Sequence, residues 1–262
     1  MEDILYQLTK GDFEMKIQLV FLSCLVLLAF MPVISIAGVW HDDFNGTNLD
    51  AGWKFSNATG LCTSKVTDGW FSVTLKGAND IWGGTDNSAK LLRNAPAGDF
   101  TLETHIKIVP DPTSKTQNTW TAIIFFNDTK APSSDWLYVS RGGSDEVNIE
   151  SVQNNTGNVN VNLKNITDMD LYLKGEKIGQ DYTGYYKIKN TDQWIKVGTY
   201  KHATLTPNKV GFCVKSWADR SMVSSYDYLE MTGSSVESNI TAVTKNEKLT
   251  TTWGLLKDKY EP

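Results

Sequence analysis

Cysteine and histidine are scarce in this chain of 262 residues, with three of each. His41, His105 and His202 are scattered, and none falls in the His-Glu-x-x-His spacing that sets two imidazoles on one helix face around a zinc ion. A cationic excess is missing too. Against 25 Lys and Arg stand 30 Asp and Glu, giving a net charge of -5 and a pI near 5.3, so there is no electrostatic footprint for nucleic acid. No segment of blade length recurs, which argues against a propeller. From Gly38 to Thr232 no stretch carries a convincing helical period.

What is plentiful is aromatic surface of a particular kind: nine Trp and ten Tyr beside ten Phe. Trp and Tyr join a large apolar area to a polar tip, which suits half-buried sheets and binding surfaces. The 40% hydrophobic and 21% charged content is ordinary for a globular protein.

Residues 1–37 read as a secretory signal. An almost unbroken apolar run from Leu19 to Phe30 follows Lys16 and precedes Pro32 and the small residues Ser35 and Ala37. That is the charged, apolar, small order of a signal, with cleavage after Ala37. The acidic residues before Met15 do not fit it, which makes Met15 a candidate start. The alternative is an uncleaved membrane anchor, since residues 17–38 are just long enough to span a bilayer. The expected location is therefore extracellular or periplasmic, with no stable membrane insertion once the signal is cut. Cleavage would leave Cys62 and Cys213. An oxidising compartment allows a disulfide between them; two buried thiols on separate strands are the alternative.

The rest is predicted to be all-β. Phe100, Leu102, Thr104, Ile106 and Ile108 alternate with Thr101, Glu103, His105 and Lys107, a strand with one buried and one wet face. Trp120 to Phe126 alternates less cleanly, so both of its faces should be covered, whereas residues 147–152 alternate strictly. Asn45-Gly46 and Asp68-Gly69 mark turns. Roughly a dozen such short segments, separated by turn signals, predict an antiparallel two-sheet β-sandwich or jelly roll over residues 38–232. Residues 233–262 read as a linker and a short amphipathic tail, where Leu249, Trp253, Leu256 and Tyr260 fall at helical spacing. Such a tail would dock on the body or on a protein partner.

Asp42-Asp43-Phe44-Asn45-Gly46, Gly84-Thr85-Asp86-Asn87, Gly98-Asp99-Phe100, Asp181-Tyr182-Thr183-Gly184-Tyr185-Tyr186, Lys209-Val210-Gly211-Phe212 and Tyr226-Asp227-Tyr228 follow one another in the chain. In that order they resemble the concanavalin A-like jelly-roll domain at the C-terminus of β-xylosidase-type glycoside hydrolases, which also occurs as a stand-alone secreted module. The likeness covers residues 40–231. It implies the concanavalin A-like lectin/glucanase fold and a non-catalytic, carbohydrate-binding role on a polysaccharide or other glycan, alone or beside a separate glycan-degrading enzyme. The propeller that carries the xylosidases' carboxylate pair has no expected counterpart here. Sandwiches of this kind hold calcium where the first and last strands meet, so Asp43 and Asp227 are candidates for a structural calcium; no other cofactor is expected.

Sugar binding in this class would use an aromatic platform with amides and carboxylates nearby. Trp82 beside Asp86 and Asn87, in a Gly-rich polar loop, fits best. Trp120, Trp136 and Tyr186 are further candidates, and Arg141 beside Gly142-Gly143 is a candidate partner for sugar hydroxyls. Trp53, Trp70 and Trp194 are assigned to the core. Glycoside hydrolysis needs two carboxylates at a fixed separation, and the glucanases of this fold carry theirs as a Glu-x-Asp-x-x-Glu run that does not occur here. The alternative for a hydrolase or lyase is Glu103 with His105 as an acid/base pair on one strand face. A third reading is a surface or matrix interaction protein.

Overall fold

The computed structural model describes residues 37–110, 118–129 and 135–239. The signal, apart from Ala37, and the amphipathic tail lie outside the described residues. Within them the chain runs through β1 (Gly38–Asp42), β2 (Lys54–Ser56), β3 (Thr63–Thr67), β4 (Trp70–Lys76), β5 (Ile81–Trp82) and β6 (Thr85–Asp86). It continues with β7 (Ala89–Asn94), β8 (Phe100–Pro110), β9 (Thr119–Phe126), β10 (Trp136–Gly142), β11 (Glu146–Gln153) and β12 (Thr156–Lys164). Last come β13 (Asp170–Ile178), β14 (Asp181–Lys187), β15 (Ile195–Lys201), β16 (Lys209–Ser216), β17 (Ser221–Tyr226) and β18 (Leu229–Gly233). No described residue is helical.

Two antiparallel sheets result. One has nine strands in the order β15-β14-β13-β8-β17-β4-β3, with β18 pairing both β8 and β1. The other has seven, in the order β12-β11-β10-β9-β16-β7-β2. The period-two pattern decides which faces meet. On β8, Phe100, Leu102, Thr104, Ile106 and Ile108 are buried as expected, and Leu171 and Leu173 of β13 join them. From the seven-stranded sheet, Ile123, Phe125, Val147, Ile149 and Phe212 face them across the core. Phe212 stacks on Tyr226 at 3.9 Å between ring centroids, so one aromatic contact ties the two sheets together. Gly211 has φ +151°, and a Cβ there would stand 2.0 Å from the Leu91 carbonyl oxygen, so the close approach of β16 to β7 requires glycine.

The outer face of the seven-stranded sheet is covered in part. Ala122, Ile124 and Phe126 of β9 pack there with Trp136, Tyr138, Val152, Cys213 and Ile81 in a second apolar cluster. This is why β9 is buried at all eight positions. The cover is the β5–β6 hairpin, formed where the sequence reads as an open loop. Gly83 supplies a positive φ, Trp82 pairs with Thr85, and the Asn87 amide donates to the Asp80 carbonyl at 2.7 Å.

Three expectations are corrected. Cys62 and Cys213 are both buried free thiols; Cys62 packs between the sheets and Cys213 on the far side of the seven-stranded sheet, so no disulfide joins them. Trp70 and Trp194 belong to the outer face of the nine-stranded sheet rather than the core. Trp70 meets His105 edge-on at 5.2 Å, and Trp194 lies under Lys174 and Lys187, each 4.5 Å from its ring.

Candidate functional site

Strand β11 shows how the site is built. Val147 and Ile149 enter the core, so the alternate residues Glu146, Asn148 and Glu150 must lie on the opposite, outer face of the sheet. All three are buried there and held by neighbours. The Asn148 amide donates to Glu150 at 2.8 Å and to Glu146 at 3.2 Å. Glu146 also accepts from Asn162 at 2.7 Å and is ion-paired with Lys164. Glu150 accepts the Tyr138 hydroxyl and is ion-paired with Lys215 at 3.3 Å. Burial, and the Glu150 charge beside it, push the Tyr138 hydroxyl well above its ordinary range, so it stays a donor.

Above Glu150 opens a groove of about 290 Å³, lined by Asp80, Trp82, Trp120, Glu150, Val159, Lys215 and Trp217. Trp217 is the outlier among the tryptophans. It sits just after β16 with 60% of its surface exposed, an apolar face presented at the rim. Trp120 is buried in the wall. The Lys215 ammonium lies 4.5 Å from the Trp120 ring and 4.9 Å from that of Trp82, with Asp80 at 3.6 Å. Trp82 is wedged in place, 6.3 Å from Trp136 and flat enough on β12 that a Cβ at Gly157 would come within 2.3 Å of its ring. The groove therefore offers aromatic faces for the CH face of a sugar, together with two carboxylates and an ammonium for its hydroxyls.

Of the residues expected from the sequence, Trp82 and Trp120 come together in this groove. Asp86 and Asn87 do not: Asp86 turns to an ion pair with Lys90, and Asn87 is exposed beyond the hairpin. Trp136 is 1% exposed and stacked on Tyr138 at 4.8 Å, so it supports Trp82 from beneath and meets no ligand. Tyr186 points into the inter-sheet core. Arg141 is fully buried, its guanidinium spent on the Asp168 and Gly142 carbonyls and on Asp145, out of reach of any sugar.

Glu103 and His105 lie on the outer face of the other sheet and serve separate partners. Glu103 accepts the Tyr228 hydroxyl at 2.8 Å, while His105 bridges Asp170 at 2.6 Å and Asp227 at 3.0 Å. Neither is poised on the other as an acid/base pair. Asp43 and Asp227 flank the Asp42–Leu229 end of the β1–β18 pairing. There Asp43 accepts from the Asn45 amide and Asp227 from His105. Among the described residues no group of three His, Cys, Asp or Glu side chains is placed to hold a metal ion.

The residues missed by sequence reasoning are Asp80, Glu150, Lys215 and Trp217. For Glu146, Asn148 and Glu150 the signal was present, since a strand that sends Val147 and Ile149 into the core must place its carboxylates on the other face, where Val152 joins them. Trp217 belongs to a turn, where no period identifies a direction.

No family model matches the chain, and no curated protein sequence does. Solved structures share its fold. The GH43 BlXynB protein from Bacillus licheniformis superposes with a TM-score of 0.55 at 12% identity, over 74% of this chain and 39% of that one. A β-glucanase from Bacillus licheniformis gives 0.53 at 15%, over 74% and 97%. A β-1,3-1,4-glucanase (lichenase) derived from a mouse hindgut metagenome gives 0.54 at 11%, over 76% and 100%. The chain thus spans about two fifths of the GH43 protein and nearly all of each glucanase. At such identities the likeness speaks to architecture alone: the chain is a concanavalin A-like, all-β jelly roll of two antiparallel sheets.

Proposed function

We propose that the protein binds carbohydrate in the groove on the outer face of the seven-stranded sheet, and does so without catalysis of its own. The observation that carries this reading is the groove itself, where exposed Trp217 stands beside Trp82 and Trp120 over Asp80, Glu150 and Lys215. The glycan-active proteins that share the fold support it. In this reading the chain is a secreted module of the xylosidase C-terminal type that works alone or beside a separate glycan-degrading enzyme. A structural calcium at the Asp43 and Asp227 end of β1 and β18 belongs to the same proposal, as does a protein partner for the tail.

Binding is preferred to hydrolysis for a specific reason. Glu146 and Glu150 share one amide, which keeps their nearest oxygens within about 6 Å, near the roughly 5–5.5 Å of a retaining glycosidase pair. Each, however, is committed to a lysine, Lys164 or Lys215, and the residue between them is an amide. Each carboxyl therefore already has a cationic partner within the protein. The test is a glycan array followed by titration calorimetry on the best ligand. Trp217→Ala should weaken binding strongly with no turnover by either protein; full affinity in both Trp217→Ala and Trp82→Ala would sink the reading.

A further inference from the structure

The groove holds an uneven set of charges. Asp80 and Glu150 stand there against one ammonium, that of Lys215, so one negative charge is left over among the described lining residues. Glu150 and Lys215 are closed in, with side chains 3% and 4% exposed, and face each other at 3.3 Å. Asp80 is open, its side chain 28% exposed, and lies farther from the ammonium at 3.6 Å. Two further ion pairs of this face, Lys90 with Asp86 and Lys164 with Glu146, each cancel and do not offset the surplus.

Both side-chain contacts of Asp80 fall on one oxygen. Oδ1 accepts the Ile81 amide at 2.9 Å and faces Lys215, while Oδ2 has no partner among the described residues and is open to solvent. The backbone around it is fixed. Asn79 and Ser216 exchange amide bonds at 2.8 and 2.9 Å, which ties the residue before Asp80 to the end of β16. The Asp80 carbonyl accepts the Asn87 amide at 2.7 Å across the hairpin, and Ile81 is anchored in the apolar cluster beneath. Oδ2 is thus a preorganised acceptor in a wall of indole rings, Trp82 and Trp120 with exposed Trp217. A cation held there gains a charge-assisted hydrogen bond together with the negative faces of those rings. An anion meets an unbalanced carboxylate.

We infer that the groove selects glycans bearing a free amino group, such as chains of 2-amino-2-deoxyglucose, with the sugar ammonium on Asp80 Oδ2 and the sugar ring against Trp217. The inference rests on the groove reading for the glycan itself and adds its charge class. A neutral sugar offers hydroxyls, which satisfy Oδ2 but leave the surplus charge unbalanced. An N-acetylated sugar adds bulk and no charge. The ammonium supplies the hydrogen bond and the charge together. Because Asp80 is partly exposed, the preference is several-fold and salt-sensitive rather than absolute.

Three tetrasaccharides with one backbone decide it: the β-1,4-linked tetramers of glucose, N-acetylglucosamine and glucosamine, which differ only at C2. They are titrated calorimetrically into the full chain at mildly acidic pH, where the amine is charged. The glucosamine tetramer should bind several-fold more tightly than the other two, and its advantage should shrink at high ionic strength. Asp80→Asn keeps an acceptor for the Ile81 amide and removes the charge, so it should erase the advantage. A glucosamine tetramer that binds no better than the glucose tetramer overturns the inference. So does an advantage that survives high salt or Asp80→Asn. Where the inference fails in these ways but Trp217→Ala abolishes binding of the glucose tetramer, the groove reading stands. Where Trp217→Ala and Trp82→Ala leave all three affinities unchanged while Asp80→Asn erases the preference, Asp80 is kept as the ammonium site and the groove is removed as the sugar platform.

Discussion

Lys215 and Glu150 form a buried ion pair, Nζ to carboxylate oxygen at 3.3 Å, with side chains only 4% and 3% exposed. It lies beneath the groove, where the Glu150 carboxylate also accepts from Tyr138 and Asn148. Such a pair is poor evidence of net stabilisation, but removing one member strands a charge. Lys215→Met alone should cost about 3 kcal/mol, and Glu150→Gln less, because Asp80 still faces the Lys215 ammonium at 3.6 Å. Lys215→Met/Glu150→Gln should cost clearly less than the two together, because neither charge is left alone. Urea unfolding of the four proteins checks this, and strict additivity would show that the pair does not couple.

Trp82 depends on a residue with no side chain. Because a Cβ at Gly157 would stand 2.3 Å from the indole, Gly157→Ala must push Trp82 off the groove wall. Overpacking at this half-exposed site should cost about 1 kcal/mol of stability. Glycan affinity should fall roughly tenfold, about 1.4 kcal/mol. Calorimetric binding alongside a melting curve separates the two effects. Unchanged affinity would mean that the indole contributes nothing to binding.

The fold was legible where the chain alternates and the site was not, for a physical reason. On β8 the period alone assigned every side chain to its face, and the irregular apolar run of β9 announced that both faces would be covered. Residue type could not say what does the covering. Trp136 and Trp82 are the same amino acid, yet one lies under the hairpin and the other is part of it and lines the groove, a difference set by packing between strands distant in sequence. Arg141 beside two glycines reads as a turn residue, but β10 continues to Gly142, and its odd position sends the guanidinium inward with Val139. Trp217 follows the end of a strand, where the two-residue period stops carrying information.

The cysteines make a chemical prediction. Burial pushes the Cys213 thiol up to about 11 and raises that of Cys62 as well. At pH 8 both are neutral thiols, poor nucleophiles, and enclosed. Iodoacetamide should therefore label neither in the folded protein and both in denaturant without reductant. Intact mass of the protein starting at Gly38 should show two thiols, and reductant should leave the melting temperature unchanged. A species two hydrogens lighter, stabilised against heat, would mean the pair is oxidised.

His41 and Glu230 stand directly opposite each other on β1 and β18, Nδ1 to carboxylate oxygen at 3.4 Å. The hydrogen bond that His41 donates to Glu230 raises the His41 pKa above its ordinary 6.5, against the opposing effect of burial, with Asp43 and Asp42 adding to the rise. A pKa raised by folding means that the native state binds the proton more tightly than the unfolded chain. The stabilisation is thus fully present below 6.5 and is lost as pH climbs through the raised value. The pair is partly exposed, so the effect is small and screened by salt. Melting temperatures of the wild type and Glu230→Gln, measured from mildly acidic to mildly alkaline pH, should differ most at the acid end. The gap should close toward the alkaline end and shrink at high ionic strength. A gap independent of pH would assign Glu230 a packing role instead and remove the first and last strands' contact as a source of acid stabilisation.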